Sequence, residues 1–483
     1  MLSVVAEYQP LLRAIVQPPG PAMERIPPDE SHWYGYTDLC DLPAARAEHR
    51  ALTDCLSTMG VAISRFDRML YDVVERLDER ERQSLIDSVL LLNPHCPPGW
   101  RRRLYDMHPA RLTLSLINGV PAQGSLQQAV EGVRFFVRPL PNLTFVHDLC
   151  VVVGRRVVSG FMASPLRSAE ERLMELLLRR HPAIGAWGDS VFWLSPTERA
   201  EMGIYDRREV ALRAEARWAR LKGTVAEHSV SIEADRLLLQ TDELMLTTGP
   251  PIFVEGGDIM LLESDERRCL LVGVGRRTTP QAVDLLAERL LRHSPEDDGV
   301  DVFLVVVLPE REDVRALDTV LAAPHPDHLI VYAPVLKDVG RDTARFYTMT
   351  PHRRRPRARP HRDLETALRA ALGAGAPEVL PLPPTGVSIA ERLASEHAQW
   401  SGALNLLAVA PGRVLVFERA EALLRVLEEQ RGYRILDHSC VNQLDFTEDQ
   451  PVAITLPGGE LSRAGGGPRS LVLPLERRHG GST

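Results

Sequence analysis

Near the C-terminus, Glu460 to Leu475 reads ELSRAGGGPRSLVLPL. Three glycines and a proline, Gly465 to Pro468, make a tight backbone turn that delivers Arg469 and Ser470 to the mouth of a short apolar strand. A small polar side chain presented in that way is a candidate nucleophile, and Ser470 is the candidate here. A serine hydroxyl attacks only when an adjacent base takes its proton. The second chemical signal is a series of acids: Asp148 in PNLTFVHD, Glu255 and Asp258 in FVEGGD, and Asp318 in RALDT. Any one of them reads as a turn former. Their recurrence in successive units, each expected at the end of that unit's first strand, would bring several carboxylates to one axial mouth. Carboxylates gathered there repel one another and need a cation to be buried. A planar guanidinium, with five donors in a fork, suits paired carboxylates.

The elements that must position these residues recur along the chain. A pair of apolar strand-like runs is followed by an amphipathic helix: LTFVHDLCVVVG and RVVSGFM before AEERLMELLLRRH, IFVEGGDIMLL and CLLVGVG before PQAVDLLAERLLRH, VFLVVVL and LIVYAPV before DLETALRAAL. LNLLAVAPG and RVLVFERA precede EALLRVLEEQRG, and VAITL and SLVLPL close the chain. An N-terminal unit has a strand at Leu11 to Val16 and a helix from Leu42 to Met59, ending at Gly60. About five strand-strand-helix repeats point to radial repetition around an axis. Residues 66 to 135 differ in kind, with helical spacing and little strand character, and read as an inserted helical bundle. The division is therefore 1–65 as a first unit, 66–135 as the bundle and 136–483 as the remaining units.

The chain has 483 residues, 44% hydrophobic and 25% charged, enough for a sizeable core. A net charge of -8 speaks against a dedicated nucleic-acid binder, which needs a basic face. The one basic run, Arg353 to Arg362, is broken by prolines and is expected as a solvated loop within 351–362. The longest apolar run, VFLVVVL, is far too short for a membrane span. No signal peptide is apparent, and six scattered cysteines lack CxxC spacing, so a cytoplasmic, reduced protein without a metal or cofactor is expected. Cys150 lies two residues past Asp148. On an alternating strand the two would share a face, which makes Cys150 a surrogate nucleophile to weigh against a buried strand cysteine.

RPLPNLTFVHD, FVEGGDIMLL, ALDTVL, AQWSGALNLLAVAPG and GGELSRAGGGPRSLVLPL resemble, in order, the successive motifs of the arginine deiminases, in the guanidino-group-modifying superfamily. LLRAIVQPPGPAMERIPPDE and ARAEHRAL resemble that family's N-terminus. The resemblance implies an α/β fold, a five-bladed pseudo-symmetric propeller of ββαβ repeats with an inserted small helical domain. It also implies a clamp of two aspartates on the guanidinium at Asp148 and Asp318, with Glu255 handling protons. Asp258 stands in the same motif and is expected in the substrate pocket. Asn142 and Arg277 match positions that hold an amino acid's α-carboxylate.

The chain departs from the pattern where turnover takes place. Ala316 stands where the resemblance implies a histidine and Ser470 where it implies a nucleophilic cysteine. Gly465 replaces an arginine, Ser401 and Gly402 an Asn-Asp pair, and His147 an arginine. Losing a nucleophile or its base costs on the order of a million-fold in rate where the two act as a unit. The leading expectation is a pseudoenzyme that binds L-arginine, another guanidino small molecule or an arginine-bearing protein without normal deimination. The alternatives are a hydrolase in which Glu255 activates water, ordinary arginine deiminase activity, and an interaction scaffold with a relic pocket. A homo-oligomer is compatible with the sequence.

Overall fold

The computed structural model describes residues 2–93, 96–122, 124, 126, 130, 132–185, 191–192, 252–291, 299–337, 342–352, 355–444 and 449–478. Residues 186–190 and 193–251 of the expected unit 136–483, and Arg353 and Arg354 of the basic run, lie outside the described residues. The protein is a mixed α/β structure in which the paired apolar runs become strands. Four sheets repeat one pattern: an antiparallel hairpin, a helical crossover, and a third strand parallel to the second. Ile259–Glu263 pairs antiparallel with Arg268–Val274, the helix Pro280–Leu290 crosses, and Val302–Val307 returns parallel. Val302–Val307 is buried at all but its last position, as expected of a strand covered on both faces.

Leu407–Ala410, Arg413–Phe417 and Val452–Leu456 repeat that order across the helix Glu421–Arg431. A further sheet joins the two ends of the chain, with Leu11–Val16 between Ala62–Arg65 and Val472–Arg477. The helix expected at Leu42 to Met59 spans Leu42–Thr58, with the Asp41 carboxylate accepting from the Ala44 amide at its start.

Two expectations about the repeats are corrected. Val302–Val307 and His328–Tyr332 do not share a sheet: the first closes the preceding sheet, and the second pairs with Leu321–His325 to begin the next. Similar apolar runs do not disclose where one hairpin ends. The Pro-broken basic run is not a loop throughout, because Arg357–His361 forms an exposed edge strand against Arg345–Thr350. Pro360 is tolerated there because an edge strand need not donate every N–H to a neighbour.

Within the stretch expected to be helical, the described residues include helices at Phe66–Arg76, Glu79–Leu91, Pro98–Tyr105 and Pro109–Asn118. Phe66, Met69, Leu70, Val73 and Val74 repeat at helical spacing and are buried. Asp78 and Glu81 close a capping box at the second helix. Phe66, Leu70 and Leu112 share one buried cluster with Val151, Leu177 and Leu270. Among the described residues no helix is long and apolar enough to cross a membrane.

The acids do not end strands. Asp148, Asp258 and Asp318 stand in three short 3-10 turns, Val146–Leu149, Gly256–Asp258 and Leu317–Thr319, each placed just before a strand, and Glu255 is the extended residue that leads into the second. The Asp148 and Asp258 amides donate to the carbonyls of Phe145 and Glu255 three residues back. A turn signal in sequence does not say which side of it the strand lies, which is why the direction was misread. The middle turn touches each of the other two, and the glycine pair makes this close approach feasible. A Cβ on Gly256 would collide with the His147 carbonyl, and one on Gly257 would lie 3.2 Å from both Asp318 carboxylate oxygens.

Gly256→Ala should therefore push two of the turns apart and cost about 3 kcal/mol, the upper part of the range for overpacking. A urea unfolding midpoint unchanged from the parent protein would show that the turns are not in contact.

Candidate active site

The three turns and the glycine-rich stretch enclose a cavity of about 290 Å³, lined in part by Asn142, Asp148, Glu255, Arg277, Asp318 and Ser470. Six of the eight expected site residues thus meet. Ala316 and Asp258 are not in the lining. Asp258 is held beneath it, where its Oδ1 accepts the Leu317 amide at 2.8 Å and so pins the turn that carries Asp318. Through that oxygen the carboxylate anchors a loop, while its buried Oδ2 accepts no hydrogen bond from the described residues. Ala316 is buried, next to the place a Cβ on Gly257 would occupy.

The carboxylates are buried and largely matched by arginines of the chain itself. Arg167 donates from Nη1 to Asp148 at 2.6 Å, from Nε to Glu170 at 2.7 Å and from Nη2 to the Asn142 carbonyl at 3.3 Å. Arg469 donates from Nη1 to Asp318 at 3.1 Å, from Nε and Nη2 to Glu7, and from Nη2 to the Ile259 carbonyl at 2.6 Å. Arg277, expected to hold a carboxylate of the ligand, has Nη1 at 3.3 Å from Glu255 and 3.8 Å from Asp148. Asn142 lends its side-chain amide to the Tyr34 carbonyl at 2.8 Å.

Glu255 differs from the two aspartates. Its Oε1 accepts the Ala163 amide at 3.0 Å, while its buried Oε2, facing Arg277, accepts no hydrogen bond. Burial raises its carboxyl above the usual carboxylate range, against the pull of Arg277 and Arg167. Burial also pushes Asp318 up to about 6, with Arg469 working in the other direction. Asp258 and Glu170 are each raised to about 7, again mainly by burial.

Ser470 lies at the cavity wall, and the Asn405 Oδ1 fixes its loop by accepting the amides of Gly467 and Ser470 at 2.8 and 2.9 Å. The Ser470 hydroxyl makes no hydrogen bond with any described residue. The nearby histidine, His147, is buried with Nδ1 at 3.1 Å from the Val472 carbonyl, and burial lowers its ring to about 3. It is therefore neutral and is absent from the cavity lining. Cys150 begins a strand after the Asp148 turn, so the alternation expected to pair the two does not apply. The thiol is in the apolar core and burial raises it to about 12, which removes it as a nucleophile.

The arginine deiminase family model matches residues 36–201 and 243–477. The chain belongs to the arginine deiminase family. Among curated members, arginine deiminase of Listeria monocytogenes serotype 4a is 23% identical over 487 residues, covering 99% of this chain and 98% of its own length. That of Limosilactobacillus fermentum is 23% identical over 488 residues, with the same coverage of both. Among solved structures, the amidinotransferase SxtG of Microseira wollei matches at 13% identity and a TM-score of 0.48, covering 99% of this chain and 98% of its own. For this member of the arginine deiminase family, sequence reasoning missed Arg167, Arg315 and Glu7 as parts of the site and treated Arg469 only as a neighbour of Ser470. The partners of Arg315, Glu7 and Arg469 lie 149 to 462 positions away, those of Arg167 within 25, and only PRS in the glycine-rich stretch marked one of the four.

Asp258 sets a pH dependence. With its carboxyl at about 7 in the folded protein and near 3.9 in the unfolded chain, the folded state binds the extra proton between those values. Its contribution to stability is full below about 4 and is lost as pH rises through 7. Asp258→Asn should flatten the decline of unfolding free energy between pH 4 and 7 by on the order of 1 kcal/mol per pH unit, read from urea titrations at each pH. An identical pH profile in the variant would refute the raised carboxyl.

Proposed function

We propose that this protein binds the guanidino group of L-arginine or a related compound and does not deiminate it. One observation carries the reading: the cavity keeps Asp148, Glu255 and Asp318 together, while its wall holds Ser470 with no base beside it among the described residues and the chain has Ala316, without an imidazole, behind that wall. The family membership supports a guanidino ligand. In the bound state Asp148 and Asp318 take the planar nitrogens, with Arg167 and Arg469 fixing the carboxylate orientations from behind. Glu255 offers its free Oε2, and accommodating the ligand's charge requires Arg277 to swing from its present place between Glu255 and Asp148. Asn142 contributes to the wall and Asp258 to the rigidity of the Asp318 turn. The sheets are, in this reading, the five blades of an α/β propeller whose axial mouth is the cavity.

Chemistry stops there for a definite reason. Attack on the guanidinium carbon needs a deprotonated nucleophile, and among the described residues the hydroxyl of Ser470 has no acceptor positioned to take its proton. Loss of the nucleophile and base as a unit removes roughly 8 kcal/mol of transition-state stabilisation. The test is prolonged incubation of guanidino-labelled L-arginine with stoichiometric protein, followed by quantitation of citrulline and ammonia. The wild-type protein should leave arginine intact, and the Ala316→His/Ser470→Cys double variant should release citrulline. Citrulline formed by the wild-type protein and abolished by Glu255→Gln would overturn the reading in favour of water activated by Glu255.

A further inference from the structure

Three arginines line the cavity, and they are not alike. Arg167 is bonded to Asp148 and Glu170, and Arg277 lies against Glu255 and Asp148. Arg315 pairs with no carboxylate among the described residues. Its Nη1 donates to the carbonyls of Gly35 at 3.1 Å and Ala464 at 3.0 Å. Each of those carbonyls sits at the end of a 3-10 turn, Pro28–Tyr34 and Leu461–Ala464, which closes on a glycine of left-handed conformation, Gly35 or Gly465. Unsatisfied carbonyls at such ends favour a cation. The Trp400 ring lies 5.9 Å from the guanidinium carbon.

Gly465 explains how the side chain gets there. Any Cβ at 465 would occupy the position of Arg315 Nη1, so the bare backbone of the glycine-rich stretch is what admits the guanidinium. Among the described residues Arg315 is held by Nη1 alone, and its Nε and Nη2 donate to none of them. Those two atoms form the side-on edge that grips a carboxylate through two parallel bonds. The group is mostly buried, and burial with the neighbouring Arg277 lowers it to about 10, so it remains charged at neutral pH. A desolvated cation without a counter-ion is costly and is relieved by an anion brought from outside.

The same cavity therefore holds a carboxylate, Glu255, whose Oε2 is ion-paired with Arg277 but accepts no hydrogen bond, and a guanidinium, Arg315, that faces no carboxylate among the described residues. We infer that Arg315 is a specificity-determining residue that binds the carboxylate of the ligand and selects guanidino acids over guanidines that lack one. The inference rests on the guanidino-binding reading for the ligand's other end, while the anion site at Arg315 stands on its own geometry.

The experiment titrates the full-length protein and Arg315→Gln with L-arginine, agmatine and sodium sulfate at constant ionic strength. Binding is followed by tryptophan fluorescence, for which Trp33 in the lining and Trp400 beside Arg315 are reporters. The wild-type protein should bind L-arginine at least tenfold more tightly than agmatine. Arg315→Gln should abolish that preference by weakening L-arginine while leaving agmatine unchanged, a selective loss that a merely structural role would not give. Sulfate should give a saturable response that the variant loses and Arg315→Lys partly restores. Equal affinity for arginine and agmatine in the wild-type protein, or a preference that survives Arg315→Gln, overturns the inference. If neither guanidine binds, the guanidino reading fails, and the sulfate arm decides the anion site: a response lost in the variant retains it, and a response equal in both proteins, or absent from both, removes it.

Discussion

Burying several carboxylates around one cavity is the constraint on which the rest of this structure depends. Glu7, Asp148, Glu170, Glu255, Asp258 and Asp318 are all buried there. Left alone, so many desolvated anions would expel one another or take up protons. The chain answers with two fully engaged guanidiniums, Arg167 and Arg469, each bridging one cavity aspartate to a second acid behind it, and with Arg277 across the mouth. Compensation is incomplete, as the raised carboxyls of Glu255, Asp258 and Asp318 report. The cavity thus keeps an appetite for a cation with several donors.

The local backbone follows from that requirement. Three 3-10 turns bring their acids together at the starts of three strands, and Gly256 and Gly257 let the middle turn lie against its neighbours without side chains between. Asp258 ties the middle turn to the next through the Leu317 amide. Asn405 does the same for the glycine-rich stretch, bonding the amides of Gly467 and Ser470 with one oxygen. Gly402 packs against the Gly466 carbonyl, so the loops that depart from the family pattern still support one another. This many mutual supports hold the cavity around Asp148, Glu255 and Asp318.

Much of this was legible in the sequence because it is local and periodic. Strand pairs, crossover helices and the burial of Phe66 to Val74 follow from spacing, and Leu11–Val16 was placed to the residue. Asp148, Glu255, Asp318 and Ser470 were found from residue type and recurrence, and they do meet in one cavity. What escaped was long-range pairing. Arg469 reaches Asp318 across 151 positions and Glu7 across 462, and no periodicity marks such partners. Nothing in the sequence connects Arg315 with Gly465, whereas the Arg315 side chain uses the space that Gly465 leaves open. The turn acids were assigned to the wrong end of their strands because HD, GGD and LDT signal a bend without a direction.

The central claim is that a guanidinium site outlives its catalytic pair. Isothermal titration calorimetry of the purified protein with L-arginine addresses it most directly, since binding gives pulses that decay to baseline and turnover gives sustained heat. The account predicts saturable pulses that return to baseline. Sustained heat would contradict it by revealing chemistry that Ser470 and Ala316 should forbid, and a flat trace would contradict it by showing that the buried carboxylates no longer accept free arginine.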